Sequence, residues 1–146
     1  MIQPPKVLRS FDSLLEVVHS LRNPKGGCPW DLEQTHSSLT PFLIEESHEL
    51  VEAIESNDQT HMIEELGDVL LQVLLHSVIA EQEGRFNFLD VVEAQAKKLV
   101  FRHPHVFGEA SASDSAEVLK NWEILKAQEK QGKPKLEKFE IPVELP

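Results

Sequence analysis

Two short acidic motifs carry the residues of this chain whose types and spacing could do chemistry. The first is Glu45–Glu49 (EESHE) and the second is Glu65–Asp68 (ELGD). In each motif, carboxylates lie three or four residues apart, so on a helix they point along one face. Clustered carboxylates repel one another unless a cation joins them, and hard divalent cations such as Mg²⁺ take oxygen ligands. The motifs therefore predict a helical magnesium site, and such sites usually handle phosphates.

The helix expected around the second motif is apolar almost all the way round. Residues 59–82 follow one helical pattern, and its narrow polar stripe is Glu65, Asp68, Gln72 and His76. Such a helix is buried in a bundle or an oligomer, and buried carboxylates are costly unless they are paired or bind a metal. The alternative is burial beside Arg or Lys, but the chain has only 14 basic residues against 25 acidic ones.

The burial of this helix also predicts self-association. One small domain offers too little surface to cover a helix that is apolar on nearly every side. We therefore expect a homo-oligomer, at least a dimer. Four apolar side chains should lie in its core or at an interface: Leu70, Leu71, Leu74 and Val78.

The helix around the first motif is more ordinary. Glu45, Glu49 and Glu52 share one side, Glu46 lies further round, and apolar residues lie opposite. By itself this pattern is also that of an amphipathic helix whose acids face water. The second motif is what favours the metal interpretation of the first.

Composition limits the class of protein. The chain has 146 residues, 40% of them hydrophobic, and a formal net charge of -11. That charge argues against nucleic-acid binding, because no basic patch is present to follow a phosphate backbone. A single cysteine, Cys28, permits no intrachain disulfide, and the N-terminus lacks the apolar region of a signal peptide. No stretch is long and apolar enough to cross a bilayer, so we expect a cytoplasmic protein that binds no membrane.

The pattern along the chain predicts an all-α fold. Strand-type alternation is absent, and β-branched residues fall within helical patterns. A helical domain over residues 1–131 is expected, followed by a tail or linker over 132–146 that is rich in Pro, Lys and Glu. Capping and stop signals give these helices: 10–21; a short turn capped by Asp31 and Gln34; one opening at Thr40-Pro41 and ending at 56–58; 59–82; 87–103; and 114–130.

Two further features could contact a nucleotide. Lys98 and Arg102 are four residues apart, so they share a helix face and could receive phosphate oxygens. The alternative is a pair of surface cations favoured by the helix dipole. Trp30 and Trp122 could each stack on a base, although packing is the more common role of such a residue.

Taken together, these residues resemble the MazG-type nucleoside triphosphate pyrophosphohydrolases. The hallmark of that family is an E-E-x-x-E motif followed by E-x-x-D. Three further blocks look like the family: GCPWDLEQTH over 27–36, EGRF over 83–86, and RHPHVFG over 102–108. The resemblance covers residues 10–130. Many members carry two tandem copies, and this chain resembles the N-terminal copy.

The resemblance implies a fold, a cofactor and a reaction. The fold is a bundle of four to five helices of the all-α NTP pyrophosphatase type, assembled as a homo-oligomer. The reaction is hydrolysis of an NTP or dNTP to the monophosphate and pyrophosphate with Mg²⁺, for which Mn²⁺ could substitute. The implied metal ligands are Glu46, Glu49, Glu65 and Asp68. Glu45 would orient or activate water, Lys98 and Arg102 would hold and stabilise the phosphates, and Trp122 would lie beside the base.

Two other interpretations stay open on the sequence. The chain could be a MazG-like interaction domain without activity. It could also be a di-iron carboxylate bundle, because Glu16-x-x-His19 and Glu45-x-x-His48 have the i, i+3 spacing that such bundles use. Against the di-iron interpretation, Glu16 lies opposite the apolar stripe of its helix.

Overall fold

A computed structural model of the chain describes residues 1–131, which contain seven helices and no strand. The predicted all-α fold is confirmed, and the tail predicted for 132–146 lies outside the described residues. None of the described helices is both long enough and apolar enough to cross a membrane. The helices are α1 (Phe11–Leu21), α2 (Pro29–Glu33), α3 (His36–Ser56), α4 (Gln59–Gln82), α5 (Phe88–Arg102), α6 (Pro104–Phe107) and α7 (Ser115–Lys130).

The chain divides into two compact units, Met1–Val91 and Val92–Pro146. In the first unit, α3 packs along α4 and α1 packs on α4. Leu74 and Val78 are buried in its core, and Leu70 and Leu71 pack against that core from its edge. The four apolar residues of α4 therefore lie in or against the core, as predicted. The other buried members of the core are Val18, Leu39, Leu75 and Ile79.

A tight turn sets the register of α3 against α4. Only Asn57 and Asp58 separate the two helices, and Asn57 adopts the left-handed conformation with φ 56°. A turn this short returns α4 antiparallel along α3. Residues at equal distances from the turn are therefore neighbours across the interface, and this rule positions the four carboxylates and the His36–His76 pair described below.

Most of the predicted helix starts are confirmed, because the capping side chains form their bonds. The Ser10 and Asp58 side chains accept from the backbone N–H groups of Ser13 and His61. At the start of α5, Asn87 and Asp90 bond reciprocally at 2.9 and 3.0 Å, which is the capping-box arrangement. The bounds predicted for α4 are confirmed at both ends, and Gly84 follows it with φ 72°.

The prediction that a helix opens at Thr40-Pro41 is wrong. α3 begins five residues earlier, at His36, where Thr35 and Ser38 form a capping box, and Pro41 lies inside the helix. Proline lacks the N–H that would bond to the Ser37 carbonyl. The Thr40 hydroxyl donates to that carbonyl instead, at 2.9 Å, so α3 continues through the proline.

The short turn after the glycine loop also begins earlier than predicted. α2 starts at Pro29, with Cys28 as its N-cap, so Asp31 lies inside it and Gln34 ends it. The buried Arg22 side chain donates to the Asp31 carbonyl at 2.6 Å, the Gln34 carbonyl at 3.1 Å and Gln82 Oε1 at 2.8 Å. These bonds attach the α2 segment to the ends of α1 and α4.

Candidate functional site

Four carboxylates meet at the interface of α3 and α4. Glu49 lies seven residues before the end of α3 and Glu65 six residues after the start of α4; Glu46 and Asp68 lie about one turn further from the turn between the helices. One ligand oxygen from each of the four lies within 4.8 Å of the others. The structure thus brings together the four residues that the resemblance gives as metal ligands.

The four carboxylates have few hydrogen-bond or ion-pair partners. Glu65 is only 7% exposed, and the Oε2 atoms of Glu46 and Glu65 are buried without a hydrogen bond. Among residues 1–131, the ion-pair partner of the cluster is His61, whose Nε2 lies 3.3 Å from Glu65 Oε1. No Arg or Lys of that part of the chain pairs with the four acids, so the alternative of basic partners finds no support there.

Burial and the neighbouring carboxylates raise the pKa values of two members of the cluster. Burial raises the pKa of Glu46 from 4.5 to about 7, with further contributions from the charges of Asp68, Glu49, Glu65 and Glu45. Burial likewise raises the pKa of Glu65, and the charges of Glu49 and Asp68 add to this while His61 opposes it. An unpaired group of oxygen donors that resists ionisation fits a hard divalent cation, which would supply the missing positive charge.

Glu45 lies beside this cluster but is not one of its four ligand groups. It is exposed on α3, and its charge helps to raise the pKa of Glu46. Its position is compatible with contact to solvent water next to the four acids.

The di-iron interpretation finds no cluster among the described residues. Glu16 is exposed, and His19 bonds to Glu81 at 2.7 Å and to the Leu15 carbonyl at 2.9 Å. In residues 1–131, the group of potential metal ligands that converges is the one formed by the four carboxylates.

The second unit holds the predicted phosphate cations. Lys98 lies partly exposed on α5, one turn before Arg102. The Arg102 guanidinium donates to both carboxylate oxygens of Glu129, at 3.3 and 2.9 Å, and the two side chains are 16% and 18% exposed. Arg102 is therefore a largely buried member of a fork-shaped ion pair between α5 and α7, besides any role at a substrate.

Trp122 lies among cations in the same unit. The Lys126 ammonium lies 4.7 Å from its ring centroid, and the Arg102 guanidinium 6.0 Å. Trp122 also lines an open cavity of about 470 Å³ together with His103, Asp114 and other residues of that unit. In the first unit, Trp30 is 48% exposed and meets Phe42 edge to face.

Sequence reasoning assigned no role to a second polar group of the first unit. His36 Nδ1 lies 2.7 Å from His76 Nδ1, and Arg85 bonds to His36 Nε2. The sequence did mark both residues, because they belong to blocks that resemble the family. His36 is the last residue of the block 27–36, and Arg85 lies within the block 83–86. Their proximity depends on the register of α3 against α4, which the motifs alone do not reveal.

Comparison with known proteins gives a consistent family. A family model, the MazG nucleotide pyrophosphohydrolase domain, matches residues 34–107. The chain is 44% identical over 126 residues to the nucleoside triphosphate pyrophosphohydrolase of Escherichia coli K12, covering 86% of this chain and 48% of that protein. It is 50% identical over 125 residues to the nucleoside triphosphate pyrophosphohydrolase/pyrophosphatase MazG of Thermotoga maritima, covering 86% and 47%.

Another relative and a solved structure extend this picture. The uncharacterized protein YabN of Bacillus subtilis is 51% identical over 130 residues, which are 88% of this chain and 26% of YabN. The crystal structure of a mazG-related protein from Thermotoga maritima superposes with a TM-score of 0.66 at 29% identity, covering 80% of this chain and 98% of that one. The chain thus spans about half, or less, of the length of these sequence relatives. Since the family model matches more than half of its residues, the chain belongs to the MazG nucleotide pyrophosphohydrolase family.

Proposed function

We propose that this chain is a magnesium-dependent hydrolase that converts a nucleoside triphosphate or deoxynucleoside triphosphate to its monophosphate and pyrophosphate. The observation that carries the proposal is the cluster of four carboxylates between α3 and α4, which has two buried oxygens without partners. Two of the sequence relatives described above are named for nucleoside triphosphate pyrophosphohydrolysis. A net charge of -11 would repel a triphosphate, so a cation at the cluster serves both the fold and the substrate.

Glu46, Glu49, Glu65 and Asp68 would hold Mg²⁺, or Mn²⁺ in its place. A divalent cation there would offset phosphate charge and favour ionisation of water. Glu45 accepts the proton of the attacking water, whose oxygen bonds to the α-phosphorus. The bond from that phosphorus to the oxygen bridging the α- and β-phosphates breaks, and pyrophosphate leaves with the electron pair.

The roles of the second unit in this proposal rest on the family resemblance. Lys98 and Arg102 bind the phosphates and stabilise charge on the leaving group. Trp122 lies beside the base, where its ring offers a stacking surface. The partly exposed ammonium of Lys98 is more readily available to a substrate than the guanidinium of Arg102, which already bonds to Glu129.

The proposal includes a cytoplasmic homo-oligomer, at least a dimer, that binds neither nucleic acid nor membrane. The first unit leaves large apolar side chains exposed on both helices of the site. Ile63 and Leu66 of α4 are 72% and 51% exposed, and Val51 and Ile54 of α3 are 50% and 52% exposed. Covering such side chains is worth about 25 cal/mol per Å² of apolar surface, which favours a second copy. Light scattering at micromolar concentration tests this, and a stable monomer would contradict it.

The experiment that tests the activity is a substrate panel. The chain is incubated with ribo- and deoxyribonucleoside triphosphates and Mg²⁺, and the products are separated and quantified. Monophosphate and pyrophosphate in equal amounts support the proposal, whereas diphosphate and orthophosphate would point to a different phosphatase. No turnover on any nucleotide, with either Mg²⁺ or Mn²⁺, would leave the inactive interaction domain as the function.

A further inference from the structure

The polar stripe of α4 continues beyond the four acids. Gln72 is 6% exposed and its Oε1 is buried without a hydrogen bond, and Nε2 of His76 is buried without one as well. A metal at the acids does not account for these atoms. With a rise of about 1.5 Å per residue, Gln72 and His76 lie about 6 and 12 Å along the helix from Asp68. A buried polar atom without a hydrogen bond destabilises the fold, so the pair calls for a separate explanation.

A chain of hydrogen bonds determines which proton His76 carries. Arg85 can only donate, so the His36 Nε2 to which it bonds is an acceptor. The proton of neutral His36 is then on Nδ1, which donates to His76 Nδ1 at 2.7 Å with the two ring planes 2° apart. His76 in turn carries its proton on Nε2, the atom without a partner. Burial and the neighbouring His36 lower the pKa of His76, which favours the neutral form of its ring.

The chemistry of this pair selects against phosphate. Gln72 offers a neutral amide and His76 a neutral N–H, and neither brings positive charge. The nearby cation, Arg85, is engaged by His36 and by Glu83, whose Oε2 lies 2.7 Å away. A neutral group that both donates and accepts hydrogen bonds, such as a hydroxyl or a base edge, fits a neighbouring donor and amide. In a nucleotide, such groups belong to the nucleoside, which extends away from the phosphates.

We propose that Gln72 and His76 form a neutral subsite that hydrogen-bonds the nucleoside half of the substrate, and that His36 and Arg85 are positioning residues that hold His76 as a donor. The proposal rests on the proposed function, because the acids of the same helix place the phosphates next to this subsite. It accounts for the two buried polar atoms that a metal leaves unsatisfied.

Binding of the separate reaction products tests the subsite. Calorimetry with Mg²⁺ present measures a nucleoside monophosphate and inorganic pyrophosphate in turn. Gln72→Leu and His76→Phe should each weaken monophosphate binding roughly tenfold, the loss of about one hydrogen bond in a buried site, and leave pyrophosphate binding within about twofold. His76→Gln, which retains an N–H near the position of Nε2, should restore most of the affinity. His19→Phe, which alters an exposed histidine of the same unit, is the matched control and should change neither.

Modified monophosphates show which group of the nucleoside the subsite recognises. Loss of the His76→Phe effect with a 2′-deoxy or 3′-deoxy monophosphate identifies a sugar hydroxyl, and loss on changing the base identifies a base edge. Unchanged monophosphate binding in both Gln72→Leu and His76→Phe would overturn the subsite and leave a bridging water as the partner of the pair. That outcome is distinct from failure of the proposed function, in which the parent chain binds neither product and hydrolyses no triphosphate, and which would overturn both.

The positioning role has a readout that does not depend on activity. Long-range ¹⁵N–¹H correlation spectra of the histidine rings report which nitrogen carries each proton. We expect the parent to show His36 protonated on Nδ1 and His76 on Nε2, and Arg85→Leu to mix these tautomers and weaken monophosphate binding. A His76 protonated on Nδ1 in the parent would overturn the hydrogen-bond chain.

Discussion

The two units of this molecule differ in whether their buried charges are paired. In the first, four carboxylates converge and the described residues bring only His61 to them. In the second, Arg102 and Glu129, whose side chains are 16% and 18% exposed, form a two-bond ion pair. A paired charge is complete within the fold, whereas an unpaired group of like charges lowers the stability of the folded chain until a cation binds. The difference separates a paired structural charge from a cluster that could bind a metal ion.

The largest expected effect comes from removing one carboxylate. Asp68→Asn or Glu49→Gln should reduce hydrolysis to background, because the remaining acids hold the cation weakly and out of position. The same substitutions should stabilise the metal-free chain, since they remove repulsion within the cluster. Turnover with Mg²⁺ and thermal unfolding in EDTA measure the two effects. Near-normal turnover of either variant at saturating Mg²⁺ would contradict the assignment.

Adding the cation should have the next largest effect. Mg²⁺ at about 100 times its Kd should raise the free energy of unfolding by about 2.7 kcal/mol, because it binds the assembled acids and not the unfolded chain. Denaturation with and without Mg²⁺ measures this. Glu49→Gln should lose most of the gain, and the exposed Glu52→Gln on the same helix is the control that should keep it.

Breaking the ion pair of the second unit should cost stability of a different kind. Glu129→Ala leaves the Arg102 guanidinium largely buried without its carboxylate, and we expect a loss of about 2 kcal/mol that Mg²⁺ does not reverse. Arg102→Ala should destabilise similarly and also lower kcat/KM. Lys98→Ala should lower kcat/KM with little change in stability, so the two cations separate structure from substrate binding. Unchanged activity in Lys98→Ala would remove that residue from the site.

The last effect is a gradual dependence of stability on pH in the metal-free protein. Folding raises the pKa of Glu46 from 4.5 to about 7 and shifts that of Glu65 in the same direction. The folded chain therefore binds more protons than the unfolded chain in this range, and the free energy of unfolding should fall as pH rises from 4.5 through 7. Denaturation in EDTA at pH 5, 6, 7 and 8 measures the slope. Glu46→Gln should flatten it, and a slope of the opposite sign would contradict the shift.

Helix caps and the periodicity of apolar residues made much of the fold predictable from the sequence. The N-caps Ser10, Asp58 and Asp114 form their bonds in the structure. Glu65 and Gln72 of the polar stripe of α4 are buried, as its apolar surroundings predict. The start of α3 was misplaced because proline is a strong signal for the first turn. The hydroxyl that compensates for it, on Thr40, belongs to the same pair that suggested the wrong boundary.

The candidate site likewise has parts that local sequence patterns predict and parts that they do not. The carboxylates follow from motif spacing within each helix, and the resemblance adds their roles. The contact of His36 with His76 joins residues 40 positions apart, so it depends on how two helices align rather than on a pattern within either. The bond from Arg102 to Glu129 likewise joins two helices, and no sequence motif predicts it.

The proline inside α3 has a consequence for substrate length. Because α3 continues through Pro41, His36 and Glu46 lie on one helix, and the ten residues from one to the other span about 15 Å along it. α4 runs beside it and carries Asp68 and His76. The distance from the acids to the histidines is thus set by the backbone hydrogen bonds of two helices, and a substrate that contacts both groups must match that length.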